Sequence, residues 1–372
     1  MKSQPKNFLF ELNHPAQGHL FKNAIRELMQ KGYPVTVFAK KIPVLFRILD
    51  AHGIPYRNMG SKGTWLMGKG LHQIKNIAAM SSSLKKGHLN VGVGVSVALP
   101  VLSRISSLHS IVLDDDDKAA TPLFASIAHR FCDVLFRPAA LSFEGKSPSS
   151  VYYNGYHELA YLHPSLFHPD RDWVENQGIS TRKPFFLIRQ VALKAHHDKR
   201  IRGISQEVFE KIVTILRPHG RIFLTREDGA FLPPGVEILK TDPAMVHHIM
   251  AFARLVISDG QTMCSEASCL GVPSVRINDF AGRISSLEEQ EKRWNLSFGF
   301  RPEDAEAAFS KIRELVQIPV EEFHSARDLM LSYSIPFTNF IIWFLEGYPE
   351  TRLGIHSHNI TNEWIQSHIN VT

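Results

Sequence analysis

The sequence predicts an α/β protein built from two doubly wound, parallel-sheet halves. Three observations carry that prediction. The chain has 372 residues, enough for two domains with sizeable cores. Short apolar runs alternate with helix-length amphipathic segments through the first half, and the same alternation restarts at Pro184.

In the first half, Phe8–Leu12 reads as a buried strand and Asn13-His-Pro-Ala-Gln-Gly-His19 as a loop. The helix that follows places Phe21, Ala24, Ile25, Leu28 and Met29 on one face and ends at Lys31-Gly32. Further strands are expected at Val35–Ala39, Val91–Val97, Ser110–Leu113, Val134–Phe136 and Val151–Tyr153. The second half opens with a strand at Pro184–Ile188 and a helix at Ser205–Leu216, then strands at Arg221–Thr225, Val236–Leu239, Leu255–Ser258 and Ser274–Ile277. Asp242-Pro243 supplies an N-cap and an N1 proline, and Gly271 with Pro273 closes the helix after Gln261. A last helix with Phe337, Phe340, Ile341, Phe344 and Leu345 on one face is expected to pack back on the first half. The division expected is 1–165, joined by a helix over 336–350, and 166–335.

The composition, 44% hydrophobic and 10% aromatic, excludes a disordered or low-complexity chain. The apolar candidate for a membrane span, Val91–Leu102, is broken by Gly92, Gly94, Ser96 and Pro100, so no span is expected. The first residues lack a signal-peptide core, and Cys132, Cys264 and Cys269 form no C-x-x-C pair; a reducing cytoplasm is the expected setting. The net charge of +6 is unevenly divided, because residues 1–113 hold fifteen Lys/Arg against Glu11, Glu27 and Asp50. They carry +12 and the remainder −6, a signal about partners rather than fold.

The sharpest local signal is Leu255-Val-Ile-Ser-Asp-Gly-Gln-Thr-Met-Cys-Ser-Glu-Ala267. A strand runs into a glycine turn and a helix whose first N–H groups can receive a phosphate, with Glu266 one turn later for ribose hydroxyls. An empty strand-to-helix turn fits the same residues. The segment resembles the nucleotide-binding stretch of GT-B enzymes, notably non-hydrolysing UDP-N-acetylglucosamine 2-epimerases (Asp-Ser-Gly-Gly-x-x-Glu-Glu) and the N-acetylglucosaminyltransferase of peptidoglycan lipid synthesis. Four further stretches, Glu11–Asn23, Val112–Asp117, Gly155–Pro164 and Phe280–Ser285, are similar to a prokaryotic family catalogued as domain of unknown function 354. The resemblance runs roughly from Phe8 to Pro349. It implies a GT-B fold of two Rossmann-like domains facing a cleft, with a nucleotide sugar, UDP-linked, on the second domain and an acceptor on the first. It further implies that Gly260, Gln261, Thr262 and Glu266 hold the diphosphate and ribose. The chain departs from the epimerase pattern at Gln261 and Ser265, where a second Gly and a paired Glu would stand. Fold alone supplies no reaction.

Arg189, at a strand's carboxyl end, can clamp a diphosphate, and Arg283 is a weaker case of the same kind. His19, similar in setting to the Gly-Gly-His of the peptidoglycan transferase, can take a proton from an acceptor hydroxyl, and His14 competes for that role. Asp114–Asp117 follow a strand, where adjacent carboxylates can bind a hard cation or provide a base; Asp115 and Asp116 are the candidates there, with a solvated loop as the alternative. The pairs His196-His197 and His247-His248 are adjacent and do not chelate one ion from a helix, so no metal site and no cofactor are expected. Lys62 and Trp65, in a basic segment without acids from Ala51 to Leu113, suit an acceptor or an anionic membrane surface; no nucleic-acid motif accompanies them. The expected function is a nucleotide-sugar-dependent glycosyltransferase of surface polysaccharide or glycolipid synthesis, at the inner membrane face. The alternatives are a 2-epimerase and a non-catalytic nucleotide-sugar or polyanion-binding protein, and the oligomeric state is left open.

Overall fold

Six of the seven residues of β1 (Lys6–Leu12) are buried without alternation, as a strand covered on both faces by helices requires. In the computed structural model the described residues are 4–60, 75–145, 147–191, 202–226, 232–355 and 360–368. By contacts the chain divides into two units, Met1–Tyr161 with Tyr333–Thr372, and Leu162–Ser332.

In the first unit β1 is joined by β2 (Val35–Ala39), β3 (Arg57–Asn58), β4 (Leu89–Gly94), β5 (Leu108–Leu113), β6 (Val134–Pro138) and β7 (Ser150–Tyr153). The order is β3-β2-β1-β4-β5-β6-β7, and every pairing is parallel. The strand order reverses between β1 and β4, so the loops after these strands diverge there and leave a crevice at the carboxyl edge. Helix Pro15–Gln30 starts at His14, whose Nδ1 accepts the Ala16 N–H at 3.3 Å. Phe21, Ala24, Ile25 and Leu28 are buried as its pattern implies, but Met29 is exposed near the helix end. β4 stops at Gly94 rather than Val97, because Ser96 Oγ turns to accept the N–H groups of Ala98 (2.9 Å) and Leu99 (3.2 Å) and starts the next helix. Gly94 is needed at this point, since a Cβ would lie 2.8 Å from the Glu11 carbonyl oxygen.

The returning helix Phe337–Gly347 supplies an aromatic face to the same sheet. Phe340 and Phe344 meet Phe136 edge-on at 5.4 and 4.8 Å, Phe337 lies 4.4 Å from Tyr153, and Thr338 Oγ1 donates to Ala160 O at 2.6 Å.

The second unit repeats the plan with β8 (Phe185–Gln190), β9 (Arg221–Arg226), β10 (Val236–Ile238), β11 (Leu255–Ser258), β12 (Ser274–Ile277) and β13 (Ser297–Phe300). These are all parallel in the order β10-β9-β8-β11-β12-β13, with the reversal between β8 and β11. Asp242 caps a 3₁₀ turn by accepting the Ala244 N–H at 2.9 Å, and Gly271 ends helix Thr262–Leu270 in the left-handed conformation at φ 74°. Strands β3 and β13 and helix Val320–Tyr333 are additions to the sequence reading. Among the described residues the apolar window long enough for a membrane falls not at Val91–Leu102 but within Val320–Gly347, with a mean hydropathy of 1.2. That stretch is two helices, Val320–Tyr333 and Phe337–Gly347, divided at Pro336, and 56% of the window is buried inside the protein.

Phe340→Ala should destabilise the first unit by about 3–5 kcal/mol, because it empties a fully buried aromatic site. Urea denaturation checks this, and a loss below about 1 kcal/mol would show that the returning helix is not part of that core.

Candidate functional site

In the second unit the crevice lies between the carboxyl ends of β8 and β11. Arg189 is in register with Ser258, and the Asp259 N–H donates to Arg189 O at 3.3 Å. Asp259 then turns its carboxylate inward, where Oδ1 accepts the Val191 N–H at 2.7 Å, while its own carbonyl accepts Asn278 Nδ2 at 2.8 Å. Gly260 donates its N–H to Ser258 Oγ at 2.8 Å, and a Cβ on it would lie 2.9 Å from a Val191 methyl. A larger residue there would have to displace the Val191 side chain. Gln261 stands at the N-cap of helix Thr262–Leu270 and its side chain makes no capping hydrogen bond among the described residues, so this end carries the helix's positive partial charge. Arg189, Gly260, Gln261 and Thr262 therefore share one edge.

Glu266, one turn into the helix, is buried at 7% exposure, and its Oε1 hydrogen-bonds His247 Nε2 at 2.9 Å. This bond ties the helix to Val246–Met250. His248 has separate partners, since its Nδ1 accepts the Asp170 N–H at 3.0 Å and its ring lies 4.8 Å from Phe167. Arg283 is exposed in the turn after β12. Among the described residues no cluster of three or more His, Cys, Asp or Glu is arranged to hold a metal ion.

In the first unit, chemistry also collects at the carboxyl edge. Glu11, at the end of β1, is 2% exposed and accepts Ser96 Oγ and Asn13 Nδ2, which tie the loops after β1 and β4 together. Burial raises the Glu11 carboxyl above the ordinary range against those two bonds. His14 serves as the helix cap described above, and its ring is engaged with the Ala16 N–H. His19 is buried at 5% exposure, stacked on Tyr161 with ring centroids 5.3 Å apart, and Lys22 Nζ lies 5.9 Å from the same tyrosine ring.

The acidic run after β5 is not a uniform solvated loop. Asp114 and Asp117 are buried, and Asp114 Oδ2 meets His129 Nε2 at 2.5 Å and Arg137 Nη2 at 3.9 Å. Arg137, fully buried, also donates to Glu144 Oε2 at 2.7 Å and to Asp116 O at 2.8 Å, which fixes the path of the loop. Asp115 Oδ1 faces His157 Nδ1 at 3.2 Å. Burial disfavours the Asp115 charge, but the His157 imidazole, a backbone hydrogen bond and the Arg137 charge together more than offset this and hold the carboxyl below its usual value. Asp116 is pushed up to about 7, first by burial and then by the charges of Asp115 and Asp114. One carboxylate stays ionised and its neighbour exchanges a proton near neutrality, a separation suited to acid–base work.

The residues that sequence reasoning missed are Asp259, Asn278, His247 and His157. Asp259 stood inside the quoted segment, while His157 lies in one of the family-like stretches, Gly155–Pro164; neither carries a local pattern that reveals its contact. Lys62 and Trp65 lie outside the described residues.

A family model described as Protein of unknown function (DUF354) matches residues 9–286. No curated protein matches the chain. Among solved structures, the S. aureus MnaA–UDP co-structure superposes with a TM-score of 0.66 at 13% identity, covering 95% of this chain and 98% of that one. UDP-GlcNAc 2-epimerase from Neisseria meningitidis bound to UDP-GlcNAc gives 0.63 at 13% identity, over 87% and 98%. Spinosyn rhamnosyltransferase SpnG gives 0.58 at 14% identity, over 92% and 100%. At such identities the likeness establishes the fold, which is GT-B with two Rossmann-like domains.

Asp259 gives a stability test with a defined sign. Burial raises its carboxyl to about 6, against 3.8 for the free side chain. The folded state therefore binds the proton more tightly, and this contribution is full below about pH 4 and lost as pH rises through about 6. Asp259→Asn, which keeps an oxygen for the Val191 N–H, should remove that loss, on the order of 2–3 kcal/mol. Urea midpoints at pH 4.5 and 7.5 compare the two proteins, and parallel pH profiles would contradict the assignment.

Proposed function

The chain belongs to the family of proteins of unknown function matched over residues 9–286, and we propose that it is a nucleotide-sugar-dependent glycosyltransferase of surface polysaccharide or glycolipid synthesis. The observation that carries the reading is the second unit's switch-point edge, where Arg189 stands beside the Gly260 turn and an uncapped helix end. A diphosphate placed there receives backbone N–H groups, the helix dipole and a guanidinium, three sources of positive charge aimed at one dianion. These are also the groups that stabilise charge on a departing nucleotide diphosphate. The similar solved structures named with UDP or UDP-GlcNAc support a UDP-linked donor.

In the first unit Asp116 is the acceptor-side base of this proposal. The acceptor hydroxyl oxygen bonds to the anomeric carbon as the bond from that carbon to the diphosphate oxygen breaks. Asp116 takes the hydroxyl proton and the diphosphate leaves with the electron pair. His19, buried against Tyr161, is better read as part of the wall than as the base. The charge of +12 on residues 1–113 supports an anionic acceptor carrier, such as a lipid-linked glycan at the inner membrane face.

A 2-epimerase is the second reading, supported by the epimerase among the structural neighbours with a TM-score of 0.63. Gln261 and Ser265, in place of the Gly and Glu of the epimerase pattern, favour the transferase.

A thermal-shift panel of nucleotides and nucleotide sugars tests the donor site. UDP or a UDP-sugar at about a hundred times its Kd should stabilise the protein by roughly 2.7 kcal/mol, and Arg189→Ala should abolish most of this. If no nucleotide raises the melting temperature, the donor assignment fails; conversion of UDP-GlcNAc alone, without an acceptor, selects the epimerase. Because the base must be unprotonated, transfer should rise through about pH 7, and Asp116→Asn should lower kcat by about 10²–10⁴-fold.

A further inference from the structure

The stretch Gly155-Tyr-His-Glu-Leu-Ala-Tyr161 has no part in the steps above, yet it reaches both candidate groups of the first unit. Tyr161 stacks on His19 and His157 faces Asp115. The turn that makes this possible is built around Gly155 at φ 123°, a region closed to other residues. Just before it the backbone is pinned at both polar groups of one residue: the Asn154 N–H donates to Ile360 O at 2.9 Å, and Asn154 O accepts the Ile335 N–H at 3.0 Å. The His157 ring packs beside Tyr153, near-parallel at 6.2 Å, and Phe337 at 5.7 Å, two rings that themselves meet at 4.4 Å. Its Nε2 is buried and makes no hydrogen bond among the described residues, so Asp115 is the polar group that sets the ring's orientation.

The charged and titratable groups around this ring come from four elements. They are Asp114, Asp115 and Asp116 after β5, Arg137 on β6, Tyr153 on β7 and Glu158 on the turn itself. Adjacent carboxylates titrate as a set, and without an asymmetry a proton would be shared among them. An imidazole 3.2 Å from one member breaks that symmetry.

We propose that His157 is a positioning residue which, by pairing with Asp115, keeps that carboxylate ionised and leaves Asp116 as the member of the run that takes up and releases the proton. This rests on the reading of Asp116 as the acceptor-side base. In the step it serves, the acceptor O–H bond breaks, an O–H bond forms on Asp116, and the proton later passes to solvent while the Asp115–His157 pair keeps its charges. Burial disfavours an imidazolium, but Asp115 and the nearby acids raise His157 above its ordinary value, in agreement with a charged pair.

The test is a ¹³C-carboxyl NMR titration of the full chain labelled at aspartate, with the Asp116 signal identified by its loss in Asp116→Asn. The wild-type midpoint is expected near pH 7. His157→Gln removes the countercharge, so the midpoint should rise by about one pH unit; Asp115→Asn removes the neighbouring negative charge, so it should fall by about as much. Unfolding would drive both variants down toward about 3.9, so opposite displacements identify the pair. The proposal is overturned by a wild-type midpoint near 3.9, by two displacements of the same sign, or by a His157→Gln midpoint within about 0.3 of the wild type in a folded protein. Should His157→Gln not fold, the His157 ring in Asp115→Asn decides: its midpoint falls if the pair exists, and an unchanged value overturns the proposal. No donor or acceptor enters these titrations. The expected displacements without any nucleotide-sugar turnover would sink the transferase reading alone, and turnover without them would sink this inference alone.

Discussion

A parallel sheet covered by helices on both faces has one place left for polar chemistry, and that is the edge where its strands end. Both units of this protein obey the constraint. Strand interiors such as Phe8–Phe10, Ile111–Leu113 and Leu255–Ile257 are wholly apolar, while Glu11, Asp114, Arg189 and Asp259 all lie at or just past a carboxyl end. Because every strand in a unit runs the same way, residues far apart in sequence arrive at the same edge. Charged groups there are partly desolvated by the sheet beneath them, which is why Asp116 and Asp259 both hold protons more tightly than a free carboxyl.

The first unit depends on chain that lies beyond the family match. The match ends at residue 286, yet Phe337 packs on Tyr153 and His157, Phe340 and Phe344 pack on Phe136, and Ile335 holds Asn154. Aromatic contacts of this kind add directional preference to area burial, so they fix ring planes as well as filling space. The ring plane of His157 decides whether Nδ1 points at Asp115. The geometry of the acidic run is in this sense set by residues about two hundred positions away from it, through the returning helix.

Much of the fold was legible because it is written locally. Unbroken apolar runs gave the buried strands, Asp242-Pro243 gave a helical start, and Gly271 gave a helix end, since each rests on the geometry of a few consecutive residues. β13 escaped because Ser297-Phe-Gly-Phe300 carries a glycine whose Cβ would lie 2.6 Å from the Arg276 guanidinium, a packing fact with no sequence signature. Met29 was assigned to the buried face by period alone, but it falls in the last turn, where the face has already left the sheet. The candidate residues were legible as positions at strand ends. Their pairings were not: Glu266 with His247 and Asp115 with His157 bring together residues whose meeting is set by strand order, not by spacing.

The two edges differ in electrical character in a way that composition does not reveal. The second unit's edge offers an uncapped helix start and Arg189, and its acid, Asp259, turns its carboxylate toward the Val191 N–H. A carboxylate so engaged adds little repulsion to an anion bound at the helix end, whereas one turned outward would cancel the dipole there. The first unit's edge does the reverse. It gathers Asp114 to Asp117 within a half of the chain that is otherwise strongly basic, and sets Asp114 against His129 and Arg137 and Asp115 against His157. Asp116 is the member pushed up to about 7, within a stretch of chain whose net positive charge attracts anions. Holding a dianion and moving a proton are the two electrostatic tasks of group transfer from a diphosphate, and both depend on local pairing at a site more than on overall charge.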